Sequence, residues 1–181
     1  TESQLDRLLV AVDGHRHKAL IYLAVVTGMR MGELLGLRWS DLDWLSGEIR
    51  ISRQAQEIRG TGTVFADTKT MAGRRTVIIG AQMLELLREQ ARQIDVMRKF
   101  ARDQWKENDL IFPSTVGTVI GRSNLHKEWN RILETAGLPP MRFHDLRHLA
   151  ASIMLVKLRR SPTQVASILG HAKTSTTLDI Y

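Results

Sequence analysis

The sequence contains no cysteine, which excludes a disulfide framework, a thiolate zinc site and a cysteine nucleophile. Long apolar runs are also missing, because the longest one, residues 19–26, is far shorter than the ~20 residues that a membrane-spanning helix needs. No signal peptide opens the chain. Together these absences predict a soluble intracellular protein.

Positive charge is the main compositional bias. The chain has 181 residues, with 26 Lys and Arg against 19 Asp and Glu, so its formal net charge is +7. A hydrophobic fraction of 43% with 25% charged residues is typical of a globular chain and excludes a largely disordered one. The excess charge favours a polyanionic partner, although charge alone does not distinguish DNA, RNA and an anionic membrane.

Hydrophobic periodicity predicts a mainly α domain with one small antiparallel β-sheet. The first helix opens at Thr1 with a capping box, and further helices are predicted over 18–27, 30–37, 81–105, 122–136, 144–158, 162–169 and 174–181. Strand-like residues occupy 48–53, 64–65 and 76–79. Residues 68–73 are predicted to form the tip of a hairpin between the last two runs.

A histidine-rich segment, residues 144–148, offers groups that suit a phosphate. His144 and Arg147 are three residues apart and share a helix face, where the guanidinium can bind two oxygens while the imidazole handles a proton. His144 and His148 also have the spacing of a zinc pair. Zinc is the less favoured interpretation, because the glutamate of a metalloprotease helix and a third ligand are both absent. Histidines on the surface of an amphipathic helix remain a third possibility.

A second cluster surrounds a glycine turn in residues 27–35. Gly28 lets the chain turn sharply, and Arg30 follows at the start of a new helix, where the helix dipole also favours an anion. Glu33 lies one turn later and can hold the guanidinium in a fixed rotamer. The alternative is an ordinary structural salt bridge between Arg30 and Glu33.

The third cluster is the segment 169–181, which carries His171 and ends on Tyr181. Only two tyrosines occur in the chain, and the other one, Tyr22, lies inside an apolar run and is expected in the core. Composition alone does not favour a catalytic role for Tyr181.

The order of these clusters resembles a known family. The chain contains T-G-x-R-x-x-E-L at 27–34, T-K-T at 68–70, H-x-L-R-H at 144–148, and L-G-H at 169–171 with Tyr181 ten residues later. This succession resembles the catalytic domain of the tyrosine recombinases, the phage integrase family. The resemblance implies a mainly α fold with a small antiparallel sheet, and an enzyme that cuts and rejoins DNA through a 3′-phosphotyrosyl bond.

The resemblance also implies a role for each matching residue. The positions are Tyr181 as the nucleophile, Arg30 and Arg147 as phosphate clamps, Lys69 as the general acid for the leaving 5′-oxygen, His144 as the group that accepts the tyrosine proton or bonds the phosphate, His171 as a phosphate hydrogen-bond donor, and Glu33 as a support. The guanidinium groups replace a divalent ion, so no metal and no cofactor is expected. Arg74 and Arg75 either add to the positive field around Lys69 or only follow the backbone.

Residues 1–181 are therefore expected to be a catalytic domain, without the N-terminal DNA-clamping domain and the C-terminal tail that family members carry. The expected partner is double-stranded DNA, with self-association of the full-length protein into a tetrameric synapse and no membrane contact, in the prokaryotic cytoplasm. Two alternatives remain open at this point: a relaxing enzyme of the type IB topoisomerase kind, and a DNA-binding module of the same fold without catalysis.

Overall fold

The computed structural model describes residues 2–58, 62–67 and 73–170. The α-helices are α1 (Glu2–Ala11), α2 (Lys18–Thr27), α3 (Met31–Leu35), α4 (Ala81–Ala101), α5 (Arg122–Thr135), α6 (Asp145–Ser152) and α7 (Pro162–Leu169). Short 3-10 helices cover Trp39–Asp41 and Arg102–Gln104, and a π-helical turn, Ile153–Lys157, follows α6. The strands are β1 (Glu48–Ile51), β2 (Arg53–Ile58), β3 (Gly62–Asp67) and β4 (Arg75–Ile78). The predicted fold class, mainly α with a small antiparallel β component, is confirmed.

The strands pair differently from the prediction. β1 pairs with β4 and β2 with β3, both antiparallel, so the described strands form two two-stranded ladders and not one sheet. β3 and β4 do not pair with each other as the predicted hairpin requires, and residues 68–72 of the predicted tip lie outside the described residues. Ile51 at the end of β1 pairs with Arg75, and Arg53 at the start of β2 pairs with Asp67. Asp67 and Arg75 therefore both lie beside the junction of β1 and β2.

Helix α2 forms the centre of the core, as its apolar sequence predicts. It packs against α4 and α6, and both Leu20 and Leu23 are fully buried. Tyr22 is half-buried and packs against the same core, in agreement with the prediction. Burying a leucine side chain stabilises a fold by about 1.5–3 kcal/mol, so α2 is a main source of stability.

A glycine ends α2 and redirects the chain toward the site. Gly28 has a φ of 63°, in the left-handed region, and its N–H donates to the carbonyl of Ala24 at 2.9 Å. A Cβ placed on Gly28 would lie 2.4 Å from Cδ2 of Leu169, so α7 packs where only glycine leaves room. The chain then restarts as α3, with Arg30 at its N-cap.

Other helix boundaries differ only at their ends. Helix α4 stops at Ala101, before the predicted end at 105, because Arg102 takes a positive φ of 47°. The predicted helix 174–181 lies outside the described residues. Within residues 2–58, 62–67 and 73–170, no helix combines the length and the apolar character that crossing a membrane requires.

Candidate functional site

Arg147 lies in the interior, where α6, α7 and the turn after α2 meet. Its side chain points inward, and the residue is only 4% exposed. Nη1 donates to the carbonyl of Gly28 at 2.7 Å, and Nη2 donates to the carbonyl of Leu169 at 2.6 Å. The arginine therefore joins two segments that are far apart in the sequence.

Arg30 occupies the exposed edge of the same site. Nη1 donates to Oε1 of Glu33 at 2.9 Å, the backbone N–H of Arg30 donates to Oε2 at 2.8 Å, and Nη2 donates to the carbonyl of Gly170 at 3.4 Å. Its side chain is 40% exposed, whereas that of Glu33 is 2% exposed. The predicted pairing of Arg30 with Glu33 is present, and it leaves one side of the guanidinium open to an anion.

Arg75 also belongs to this site, although the sequence did not decide whether it contributes to the positive field or only follows the backbone. Its guanidinium makes a two-point ion pair with Glu33, with Nη2–Oε2 and Nη1–Oε1 distances of 2.8 and 3.0 Å, and its side chain is 6% exposed. Arg74, by contrast, is exposed and pairs with Asp67 at 2.9 Å. The period-two pattern of β4 contains a signal for this difference, because Arg75 shares a strand face with the buried Val77.

The surroundings of Glu33 keep its carboxylate ionised. Burial by itself raises the pKa of Glu33, but the hydrogen bonds and charge of Arg75, together with the backbone N–H and charge of Arg30, lower it below its ordinary value. Arg30 and Arg75 therefore share the carboxylate of Glu33, while Arg147 binds the carbonyl of Leu169, next to the Gly170 carbonyl that Arg30 contacts. These four side chains carry three positive charges and one negative charge. Such a cluster attracts anions.

His144 lies directly before α6, on the same side as Arg147. Burial lowers the pKa of His144, and the nearby charges of Arg147 and His148 lower it further, so the imidazole is neutral at pH 7 and can accept a proton. The rings of His144 and His148 are 5.5 Å apart and nearly perpendicular. Among the described residues, no group of three or more His, Cys, Asp or Glu side chains is placed to hold a metal ion.

Lys69, His171 and Tyr181 lie outside the described residues, so their predicted roles stay predictions. Described residues close to two of the three in the sequence nevertheless contact the arginines of the site. Gly170, whose carbonyl contacts Arg30, directly precedes His171 in the sequence. The carbonyl of Gly73, which follows the segment with Lys69, accepts a hydrogen bond of 3.4 Å from Nη1 of Arg75.

Comparison with known proteins places this chain in a family. The sequence model of the phage integrase family matches residues 1–181. The chain belongs to this family. As a phage integrase family member it is 33% identical, over 193 aligned residues, to a protein of Caldanaerobacter subterraneus described as tyrosine recombinase XerC-like. That alignment covers 100% of this chain and 49% of the relative, so the chain spans about half the length of that protein.

Solved structures of the phage integrase family share the fold. The Tn1549 transposon integrase in complex with transposon right end DNA matches with a TM-score of 0.86 and 21% identity, over 100% of this chain and 60% of the other. The XerH site-specific recombinase bound to difH substrate, in a pre-cleavage complex, matches with a TM-score of 0.70 and 28% identity, over 98% of this chain and 48% of the other.

Proposed function

We propose that residues 1–181 form the catalytic domain of a site-specific DNA recombinase or integrase, which cuts and rejoins strands through a 3′-phosphotyrosyl intermediate. The observation that carries the proposal is the meeting of Arg30 and Arg147, which come from distant parts of the sequence and both donate to the end of α7. The names of the relatives, a tyrosine recombinase and an integrase bound to DNA, support it.

The proposed reaction exchanges one phosphate ester for another. The hydroxyl oxygen of Tyr181 attacks the scissile phosphorus, the bond from phosphorus to the 5′-oxygen breaks, and the protein becomes linked to a 3′ end. A 5′-hydroxyl then attacks the phosphotyrosyl bond and restores a phosphodiester. No electrons are transferred, and no metal or cofactor enters this scheme.

Arg30 and Arg147 supply the positive charge for the transition state. Their guanidinium groups bind the non-bridging oxygens, on which negative charge grows as the phosphorus becomes five-coordinate. Removing one such preorganised donor typically lowers a rate by about 10²–10³. Glu33 supports this role because it holds Arg30 at the edge of the cluster.

Proton transfer is assigned to His144 and Lys69, and a further phosphate contact to His171. A phenol is a weak nucleophile until it loses its proton, which the neutral imidazole of His144 accepts. Lys69 gives a proton to the leaving 5′-oxygen, which an arginine cannot do at these pH values. His171 donates a hydrogen bond to the phosphate.

The proposed partner is double-stranded DNA, and the complete protein is proposed to assemble into a tetrameric synapse on it. The formal charge of +7 supports contacts to phosphates. The prokaryotic cytoplasm is the proposed compartment, since the tyrosine recombinase XerC-like relative comes from Caldanaerobacter subterraneus.

Covalent trapping tests the proposal. The complete protein is incubated with a random-sequence pool of nicked duplexes, in which the released strand end diffuses away, and the detergent-resistant complexes are sequenced. The wild-type protein is expected to retain DNA covalently in the presence of EDTA, whereas Tyr181→Phe retains none. A lasting adduct in Tyr181→Phe, or an adduct that forms only with a divalent ion, would overturn the assignment.

Trapping, together with a plasmid relaxation assay, also distinguishes the recombinase from the two alternatives, a type IB topoisomerase and a DNA-binding module without catalysis. A topoisomerase would relax any supercoiled plasmid and would trap DNA without sequence preference, whereas a recombinase enriches one site and acts on paired copies of it. A DNA-binding module without catalysis would give no adduct at all.

A further inference from the structure

The C-terminal end of α7 is capped by three arginines from three different elements. Nε of Arg75 donates to the carbonyl of Ile168 at 2.7 Å, Arg147 donates to that of Leu169 at 2.6 Å, and Arg30 donates to that of Gly170 at 3.4 Å. The last carbonyls of a helix lack partners within the helix and carry partial negative charge. Three consecutive carbonyls are thus each satisfied by a guanidinium.

Arg75 differs from the other two arginines of this cap. Its Nη atoms are both on Glu33 and its Nε is on Ile168, with only 6% of the side chain exposed, so all three nitrogens are occupied. Arg30, in contrast, keeps two-fifths of its side chain exposed. Nη1 also donates to the carbonyl of Gly73 at 3.4 Å, so these contacts with the protein use four of the five N–H donors of Arg75. Arg75 is therefore poorly placed to bind a phosphate.

The carboxylate of Glu33 is held from two sides. Oε1 accepts from Nη1 of Arg30 and Nη1 of Arg75, and Oε2 accepts from the backbone N–H of Arg30 and Nη2 of Arg75. Each oxygen thus takes one bond from each arginine. Without Arg75, only the two bonds from Arg30 would hold the carboxylate, so the orientation of Glu33 and of the Arg30 guanidinium would be less firmly fixed.

We propose that Arg75 is a positioning residue for the phosphate site: it orients Arg30 through the carboxylate of Glu33, which both arginines bind. This inference rests on the proposed function. Lysine cannot replace Arg75 here, because one ammonium group cannot make the two parallel bonds to Glu33 and a third to Ile168.

A double-mutant cycle tests the inference in the complete protein. Arg75→Lys and Arg30→Ala are made singly and together, and single-turnover adduct formation is measured on the duplex enriched by covalent trapping. Arg75→Lys is expected to slow adduct formation at saturating DNA roughly 10²-fold, because displacement of a reacting group by about 1 Å costs this much, and to leave the Kd for DNA within about twofold. In the Arg30→Ala background the same change is expected to cost less than about threefold, since Arg75 acts through Arg30.

The matched control is Arg74→Lys, which changes the neighbouring arginine in the same way but at the surface, and it is expected to cut at the wild-type rate.

A phosphate made neutral by a methyl group at the scissile position gives a second measurement. On this substrate Arg75→Lys should lower the rate of adduct formation by a smaller factor, because the neutral phosphate develops less negative charge for Arg30 to stabilise. A purely structural defect would lower the rate by the same factor on both substrates. Thermal unfolding checks that each variant is folded, and Arg75→Gln replaces Arg75→Lys where the lysine variant unfolds below the assay temperature.

Two results would overturn the inference alone: a wild-type cleavage rate for both Arg75 variants, or an equal loss in the presence and absence of Arg30. Failure of the wild-type protein to form any adduct would instead overturn the proposed function, and the inference with it. The wild-type arm is measured first, so the two failures are distinguished.

Discussion

Glu33 and Arg75 are 42 residues apart in the sequence and form a two-point ion pair with almost no exposure to solvent. Removing one partner of a buried pair typically costs 3–5 kcal/mol, because the other charge is then left without compensation. This pair connects α3 to β4, and the Nε of Arg75 connects β4 to α7. The candidate site and the fold are therefore stabilised by the same contacts.

Substitution of Gly28 should separate backbone strain from steric conflict. Gly28→Ala is expected to lower the free energy of unfolding by more than Gly14→Ala, as measured by urea denaturation. Both glycines have a positive φ, so both variants carry a backbone strain of about 1–2 kcal/mol. A Cβ on Gly14 meets nothing within 4 Å, whereas one on Gly28 would lie 2.4 Å from Leu169. Equal losses in the two variants would contradict the close contact between this turn and α7.

The buried His17 is expected to make the stability of the protein depend on pH. Burial lowers the pKa of His17 to about 3, with further contributions from the charges of Arg16 and His15. In the unfolded chain the group has its ordinary pKa of 6.5, so between pH 6.5 and 3 only the unfolded state binds the proton, and stability falls as pH falls. Between pH 7 and 5 this loss is about 2 kcal/mol at most.

The matched variant is His17→Gln, which keeps a polar side chain that does not titrate. Its urea-denaturation free energy is expected to fall less between pH 7 and 5 than that of the wild-type protein. The same pH dependence in both proteins would contradict the account of His17 as a buried neutral group.

DNA affinity should depend on salt through the arginines of the site. Residues 1–181 are expected to bind duplex DNA weakly, on the order of 10⁻⁴–10⁻⁶ M at physiological salt, with log K linear in log salt. Arg30→Ala should reduce the slope by about one phosphate contact. Arg92→Ala should leave it nearly unchanged, because Arg92 is an exposed residue of α4 that lies 3.6 Å from Glu85. Equal slopes for Arg30→Ala and the wild-type protein would place Arg30 outside the phosphate contacts.

A sulfur leaving group tests the role of Lys69. Lys69→Ala should abolish cleavage of an ordinary duplex and should regain it on a duplex whose 5′-bridging oxygen is replaced by sulfur, because a thiolate leaves without a proton. Arg30→Ala is the control and should not regain activity, since its defect lies in the charge of the transition state. Lack of recovery in Lys69→Ala would remove the lysine from the role of general acid.

Local features of the fold were predictable from the sequence. The bounds of α2 and α7 agree with the prediction because their ends are set by adjacent residues: Gly28 ends α2, and Ser161 and Gln164 form the capping box that starts α7. The pairing of the strands was not predictable, because alternation identifies a strand but not its partner. The observed register depends on contacts between residues far apart in the chain.

In the candidate site, too, the local contacts were predictable from the sequence and the long-range contacts were not. The Arg30–Glu33 pair follows from a spacing of three residues on one helix, so the sequence predicted it. The second cation on Glu33 comes from a strand, and its identity as Arg75 and not Arg74 depends on which face of β4 turns inward. The carbonyls that Arg147 contacts depend on how α6, α7 and the turn at Gly28 pack, which no local pattern encodes.

The central claim is that Tyr181 is the nucleophile, and identification of the covalent linkage tests it most directly. The adduct of the complete protein with its enriched duplex is digested with nuclease and protease, and the peptide that carries a nucleotide is identified by mass spectrometry. We expect a single modified peptide with a 3′-nucleotide on the Tyr181 oxygen and a free 5′-hydroxyl on the released strand. A nucleotide on another residue, or a 5′-phosphate link, would contradict the account.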